Sequence, residues 1–204
     1  EASLAIFLPI AWRRPVTLME IQKLSAIYEK AGKKLNIIHE EAVKLIYCSA
    51  LTSPNFLYRI EETKFGKYPT PLNPYEYATR LSYFLWSTMP DAALTAAAKD
   101  GKLNDPADIA AQVKRMLADP KASILASQFM GQWLGTDNLI AGLGPDIKLI
   151  RGYDESLRAA MIKEPVVLMQ ALLDKNGSLA DLIDCNYVYV NAELARHYGL
   201  SGPS

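Results

Sequence analysis

The sequence predicts an all-α fold, and three features of its pattern indicate this. Strand-type alternation is almost absent, helix starts of the cap-plus-proline kind recur, and apolar residues repeat at a spacing of three or four. Most of the predicted helices are shorter than about 16 residues. We therefore expect an irregular orthogonal array of short helices with at most minor extended segments.

The amino-terminal part contains two predicted helices. The first opens with a capping box formed by Thr17 and Glu20 and ends near Gly32. Its apolar stripe consists of Ile21, Leu24, Ile27 and Tyr28. Asn36 is placed to open the second helix, which should stop before Ser53 and Pro54.

The next segment connects two predicted domains. Residues 55–61, NFLYRIE, are aromatic and β-branched enough for a short strand or an extended connector. Residues 63–71 contain one glycine and two prolines and predict a linker. We expect a small helical domain over residues 1–62 and a larger one over residues 72–201.

The strongest helix signal lies in the sequence NPYEYATRLSYFLW, residues 73–86. Asn73 predicts the N-cap, Pro74 suits the first turn, and Glu76 completes a capping box. The predicted apolar face consists of Tyr77, Leu81, Phe84 and Leu85, broadened by Tyr83 and Trp86. We expect Arg80 on this helix to be partly buried and paired with Glu61 or Glu76, because a buried guanidinium needs a partner.

Further helices follow a set of predicted caps, at Asp91, Asp105, Asp154 and Asn191. Residues 136–153 carry several glycines and a proline and predict a long loop. Pro165 should kink or break the helix that Asp154 opens. Residues 187–190 predict a short extended piece.

The residues that could carry out catalysis or bind a metal form no recognisable motif. We therefore assign no catalytic residue and no metal ligand, and cofactor-binding residues remain unknown. His39 lacks a second histidine one helical turn away, and we expect a solvated helix face there. His197 has the spacing of an intrahelical pair with Glu193. Cys48 is expected to be a small buried hydrophobe, and whether it pairs with Cys185 stays open.

Arginines beside aromatic residues are the other notable pattern. Arg59 is expected to form a structural ion pair with Glu61 or Glu76, and Arg13-Arg14 invites a stack on Trp12. The aromatic residues of the central helix are expected to be core, with a sugar-stacking platform as the alternative; they are Tyr75, Tyr77, Tyr83, Phe84 and Trp86.

Charge and hydropathy exclude further classes. The 22 basic residues balance the 22 acidic ones, which is not the pattern of a nucleic-acid-binding protein. No apolar run reaches the roughly 20 residues that span a membrane. The sequence contains no CxxCH, so this chain attaches no c-type haem itself. The absent initial Met and the ending Gly-Pro-Ser suggest a fragment of a longer protein.

Several phrases resemble a known family. They are AWRRPVT (11–17), SPNFLYRIE (53–61), RLSYFLW (80–86), GQWL (131–134) and NAELARHYG (191–199). In this order they are similar to the uncharacterised helical domains of large secreted proteins, typical of planctomycetes, that also carry a cytochrome c domain. The resemblance covers nearly the whole chain. Pro165 departs from it, since an acidic residue is expected after Glu164.

The resemblance implies a periplasmic or extracellular location and haem c in a partner or missing domain, with no cofactor bound by this fragment. We expect a non-catalytic scaffold or docking module of a redox protein rather than an enzyme. Its partners would be other domains or subunits of the parent. Two alternatives remain: part of an extracellular polymer-degrading enzyme that acts on carbohydrate, or a structural subunit of a larger assembly.

Overall fold

A computed structural model describes residues 1–35, 37–61, 71–146, 149–150 and 152–201. Within these ranges the fold is all-α, as the sequence predicts, with eleven α-helices and no strand. In chain order the α-helices are α1 (Ala2–Ala11), α2 (Leu18–Leu35), α3 (His39–Leu51), α4 (Pro54–Leu57), α5 (Pro74–Trp86), α6 (Ala92–Lys99), α7 (Pro106–Leu117), α8 (Ser123–Leu134), α9 (Asp137–Ile140), α10 (Glu155–Lys175) and α11 (Ala192–Tyr198). Short 3-10 helices lie at Lys102–Asn104, Pro120–Ala122 and Leu179–Leu182.

The chain divides into two compact units. The first comprises Glu1–Tyr83 and Thr88–Gln112, and the second comprises Phe84–Ser87 and Val113–Ser204. The expected domains, 1–62 and 72–201, stay a prediction, because most of the 63–71 linker lies outside the described residues.

The first unit is built around α1, α2 and α3, which pack against one another. Their buried side chains form one apolar cluster, consisting of Leu4, Leu8, Ala11, Trp12, Ile21, Ile46 and Ala50. The predicted capping box begins α2: the Thr17 N–H donates to Glu20 Oε2 at 2.8 Å, and the Glu20 N–H donates to Thr17 Oγ1 at 3.3 Å. Asn36, predicted to open α3, lies outside the described residues, and α3 begins at His39.

The second unit is organised by α10, which packs against α8, α9 and α11. Two small apolar clusters lie along it, one of Tyr153, Leu157, Ala160 and Leu194, the other of Ala126, Met130 and Met169. The predicted N-caps Asp154 and Asn191 accept hydrogen bonds from Leu157 N–H and Leu194 N–H, both at 2.8 Å. These side chains fix the starts of α10 and α11.

Capping of α5 follows the prediction, and its buried face follows the prediction in part. The Asn73 N–H donates to Glu76 Oε2 at 2.8 Å, and the Glu76 N–H donates to Asn73 Oδ1 at 3.0 Å. Phe84, predicted to be core, is 64% exposed. Leu85 and Trp86 are buried as predicted, and the other buried positions of α5 are Ala78, Thr79 and Ser82. Small and polar side chains thus share the inward face with Leu85 and Trp86, which a hydrophobicity pattern does not reveal.

Local structure departs from the prediction in part of the chain. Residues 55–61 contain no strand: Pro54–Leu57 forms a helical turn, and the chain then continues without regular structure to Glu61. Residues 136–153 include the short helix α9 rather than an uninterrupted loop. Of the two predicted effects of Pro165, a break does not occur, since α10 runs through it to Lys175, and a kink stays a prediction. Residues 187–190, predicted to be a short extended piece, form no regular secondary structure.

No helix among the described residues has the length and apolar character that crossing a bilayer requires.

Candidate functional site

A cleft of about 640 Å³ lies in the first unit. It is bordered by the turn after α1, the segment after α4 and the start of α5. Its lining residues are Trp12, Arg13, Arg14, Asn55, Tyr58, Arg59, Ile60, Glu61, Asn73, Tyr75, Glu76, Thr79 and Arg80. Ligand sites in proteins fall in this size range.

Arg13 fixes one wall of the cleft. One of its terminal nitrogens, Nη2, donates to the carbonyl oxygens of Asn55, Phe56 and Tyr58, at 2.8, 3.1 and 3.0 Å. The backbone of Arg13 is left-handed, with φ of 57°. A side chain with a Cβ adopts this conformation at a cost. The hydrogen bonds to an irregular segment offset that cost and hold the segment in place.

Arg14, the next residue, is neutralised by Glu20. Its Nη2 lies 2.7 Å from Glu20 Oε1 and donates to Asn55 Oδ1 at 3.1 Å. The guanidinium lies 5.4 Å from the Trp12 ring centroid, which confirms the expected stack. Hydrogen bonds from Arg14, with smaller help from Thr17, hold the pKa of Glu20 at about 2. Glu20 therefore both caps α2 and anchors the turn that carries the arginines.

Arg80 forms the predicted ion pair but is not buried. Its Nε and Nη2 donate to the two carboxylate oxygens of Glu61, at 3.0 and 2.6 Å. The side chains of Arg80 and Glu61 are 62% and 33% exposed. The expectation of burial is wrong because Arg80 lies on the face of α5 opposite to Ala78 and Ser82.

Arg59 has a different environment from the one predicted. Its guanidinium carbon lies 5.0 Å from the Tyr83 ring centroid, and Arg13 lies over the same ring at 5.9 Å. Glu61, the expected partner of Arg59, is bound to Arg80 instead. No carboxylate in the described part of the chain forms an ion pair with Arg59.

The cleft is suited to binding anions and poorly suited to proton transfer. Four guanidinium groups line it, against two carboxylates, Glu61 and Glu76. Glu61 is held by Arg80, and Glu76 accepts the hydrogen bond that caps α5. Hydrolysis by paired acids needs two carboxylates facing one reacting bond, and these two have structural roles.

The second unit contains a smaller concavity of about 290 Å³. Lys163, Glu164 and Tyr189 are among its lining residues. The Tyr198 hydroxyl donates to Glu164 Oε2 at 2.7 Å, and this bond raises the pKa of Tyr198 to about 12. Glu164 is therefore engaged by a side chain of α11, and the pocket pairs it with no second acid among the described residues.

Histidines and cysteines lie apart from both concavities. His39 is exposed, and its Nδ1 lies 2.7 Å from the Tyr28 hydroxyl. Glu193, expected beside His197, accepts a hydrogen bond from Ser156 Oγ at 2.7 Å instead. The described residues include no group of side chains that could hold a metal ion.

Both cysteines are free, and the structure contradicts the expected burial of Cys48, which is exposed on α3. Its neighbours Ile46 and Ala50 face the apolar cluster, so Cys48 falls on the outer side of the same helix.

The cleft itself was missed by sequence analysis, because its walls come from three separate segments. One signal was present: two of the phrases that carry the family resemblance, 11–17 and 53–61, meet in this cleft, through Arg13 and Asn55. Because the two phrases are about 40 residues apart in the chain, the sequence alone does not indicate that they line one cleft.

Comparison with known proteins relates the chain to two families. Residues 1–61 match the family described as "PSD5: Protein of unknown function (DUF1595)". Neither a curated protein nor a solved structure matches the chain. Residues 72–200, more than half of the chain, match a second family model. The chain therefore belongs to the family described as "PSD4: Protein of unknown function (DUF1592)".

Proposed function

We propose that this chain is a non-catalytic helical docking module of a periplasmic or cell-surface multidomain protein associated with cytochrome c. The redox context and the location come from the family resemblance. The observation that supports docking is the cleft of the first unit, where the lining carboxylates are engaged by Arg80 and by the cap of α5. Arginines and aromatic rings dominate the remaining lining, as in protein-binding surfaces.

The alternative of a polymer-degrading enzyme has less support. Such an enzyme needs two close carboxylates in one cleft, with one of them available to give or take a proton. Glu61 and Glu76 lie in the cleft, but each is used to hold a structural element.

A structural subunit has one observation in its favour. Ile6 and Ile10, one turn apart on α1, are 71% and 61% exposed, and Leu18 and Met19 are also exposed. An assembly subunit would use such apolar surface for self-association. Sedimentation velocity of the purified chain distinguishes a structural subunit from a docking module. The docking module stays monomeric, whereas a structural subunit forms larger species as the protein concentration rises.

The docking proposal is tested with the parent polypeptide. The purified parent should show haem absorbance, and the isolated chain should co-sediment with the parent's haem-bearing domain. A parent without haem, or a haem-bearing domain that does not bind the chain in sedimentation velocity followed at the haem absorbance, would contradict the proposal.

A further inference from the structure

Arg59 differs from the other arginines of the cleft in what its guanidinium contacts. Arg13 donates to backbone carbonyls, Arg14 forms an ion pair with Glu20, and Arg80 forms an ion pair with Glu61. Arg59 lies against the Tyr83 ring, and no hydrogen-bond acceptor engages it among the described residues. Its planar array of N–H donors is therefore available to a ligand, and the ring holds it in position.

The charge of the cleft specifies the sign of that ligand. Four arginines and two glutamates line the cleft, which leaves an excess of two positive charges. When Glu20, the partner of Arg14, is included, one positive charge remains. The whole chain is neutral, with 22 basic and 22 acidic residues, so this excess is a local feature. An anionic group is favoured here, and a carboxylate matches the guanidinium geometry.

The side chains around Arg59 indicate a polypeptide rather than a sugar polymer. Leu57, Tyr58 and Ile60 are 60%, 66% and 57% exposed. Together with Arg59 they are four consecutive exposed residues, which we call the LYRI strip, residues 57–60. Tyr and Arg are enriched at polypeptide interfaces, and the exposed apolar surface beside them here is of the kind that such interfaces bury. The backbone at Tyr58 is extended, with φ of −114° and ψ of 154°, and the strip borders an open cleft.

We infer that the LYRI strip and the adjoining cleft bind an acidic polypeptide segment that also carries apolar side chains, with Arg59 receiving a carboxylate of that segment. The inference rests on the proposed docking function and specifies the chemistry of the partner. Tyr58 and Ile60, which line the cleft with Arg59, receive the apolar side chains, and Arg80 stays paired with Glu61.

The test uses an array of short synthetic peptides of equal length, in which the content of Asp and Glu and the content of Leu and Phe vary independently. The labelled full chain should bind best to peptides rich in both, and its binding should weaken as salt concentration rises. Arg59→Gln should reduce affinity for these peptides about tenfold, the loss expected for one charge-assisted contact. Arg59→Lys should retain part of the affinity, because it keeps the charge but not the planar fork.

Arg196→Gln is the matched control, since Arg196 is exposed on α11 in the other unit and its Nε donates to its own helix, at Ala192 O. This variant should bind like the unaltered chain. Tyr58→Ala is a second variant of the strip and should reduce binding of the apolar acidic peptides while leaving the circular dichroism spectrum unchanged.

Equal binding of neutral and acidic peptides would overturn the inference, as would acidic peptides that bind Arg59→Gln as well as the unaltered chain. Binding of polygalacturonate in place of every peptide would also overturn it, in favour of an acidic polysaccharide. The proposed function fails separately: if acidic peptides bind but the haem-bearing domain does not, docking to that domain is wrong and the inference stands. If the haem-bearing domain binds Arg59→Gln as well as it binds the unaltered chain, and no peptide binds, the docking proposal stands and the inference about an acidic segment is wrong.

Discussion

Each of the two units contains a buried tryptophan that donates to a distant backbone carbonyl. In the first unit, Trp12 Nε1 donates to Ala50 O at 3.2 Å. In the second, Trp86 Nε1 donates to Met116 O at 2.9 Å. Both rings carry cations, Arg14 at 5.4 Å over Trp12 and Lys121 at 4.7 Å over Trp86. The same device therefore ties two helical segments together in each unit.

The surroundings of the two tryptophans differ. Beside Trp12, polar side chains hold an irregular segment to the turn after α1, and Arg13 alone donates to three of its carbonyls. In the second unit, helix packing along α10 provides most of the organisation. Polar contacts therefore shape the cleft of the first unit, whereas apolar burial and N-caps organise the second unit.

The largest effect should come from the tryptophans themselves. Trp86→Ala should lower the free energy of unfolding by about 4 kcal/mol, because it removes a large buried side chain and one of the donors to Met116 O, which keeps only the Asp119 N–H. Trp12→Ala should cost a similar amount. Trp133→Ala is the control, since Trp133 is 47% exposed, and should cost less than about 1 kcal/mol. Urea unfolding followed by circular dichroism measures all three, and an equal loss for Trp133→Ala would contradict the comparison.

Removing the Arg13 side chain should break the polar clamp of the first unit alone. Arg13→Ala should lower the free energy of unfolding by about 2 to 3 kcal/mol, since three carbonyls lose a charged donor. Hydrogen exchange should rise at residues 54–58 and stay unchanged in α10. Arg59→Ala is the matched control and should leave both measurements unaltered. Faster exchange throughout the second unit would show that the clamp is not local.

The two units should respond to opposite extremes of pH. The pKa of Glu20 is lowered from 4.5 to about 2, so its contribution is complete above pH 4.5 and is lost as pH falls to about 2. The pKa of Tyr198 is raised from 10.0 to about 12, so its contribution is complete below pH 10 and is lost as pH rises to about 12.

Urea unfolding across pH checks this difference. Glu20→Gln should cost about 2 kcal/mol at neutral pH and remove part of the acid dependence. Tyr198→Phe should cost less than about 1 kcal/mol, because the side chain is substantially exposed, and should reduce only the alkaline dependence. An unchanged acid slope in Glu20→Gln would show that another carboxylate sets it.

Replacing two glycines within helices by alanine should change the free energy of unfolding in opposite directions, and by smaller amounts. A Cβ at Gly131 of α8 would lie 3.0 Å from Asp137 Cγ, whereas a Cβ at Gly32 of α2 would meet nothing within 4 Å. Gly131→Ala should destabilise the second unit by about 1 to 2 kcal/mol. Gly32→Ala should stabilise the first by about 0.5 to 1 kcal/mol, since alanine favours the helix. Thermal melts that shift in the same direction for both would contradict this.

The smallest effect is expected at the pair between Arg80 and Glu61. If Arg80 were buried, replacing it by Met would leave a buried carboxylate unpaired, at a cost of several kcal/mol. Because both side chains reach solvent, we expect Arg80→Met to cost at most about 1 kcal/mol. If Arg80→Met lowers the free energy of unfolding by several kcal/mol in urea unfolding, Arg80 must be interpreted as a core residue after all.

Local signals in the sequence determined where most helices begin. Thr17 with Glu20 and Asn73 with Glu76 both form the predicted capping boxes, and Asp91 accepts the Leu94 N–H at 2.8 Å as its position predicts. These contacts span only a few residues, so propensity and spacing suffice to predict them. The all-α class follows from the same local information.

Tertiary structure alone decided which faces are buried and which charges meet. Phe84 is exposed while Ser82, Leu85 and Trp86 are buried, because the inward face of α5 is set by its neighbours and not by apolarity alone. Glu61 pairs with Arg80, 19 positions away, rather than with Arg59. The cleft depends on such long-range pairings among segments 11–15, 53–61 and 73–80. Periodicity along one helix carries no information about them, because it describes a helix and not what packs against it.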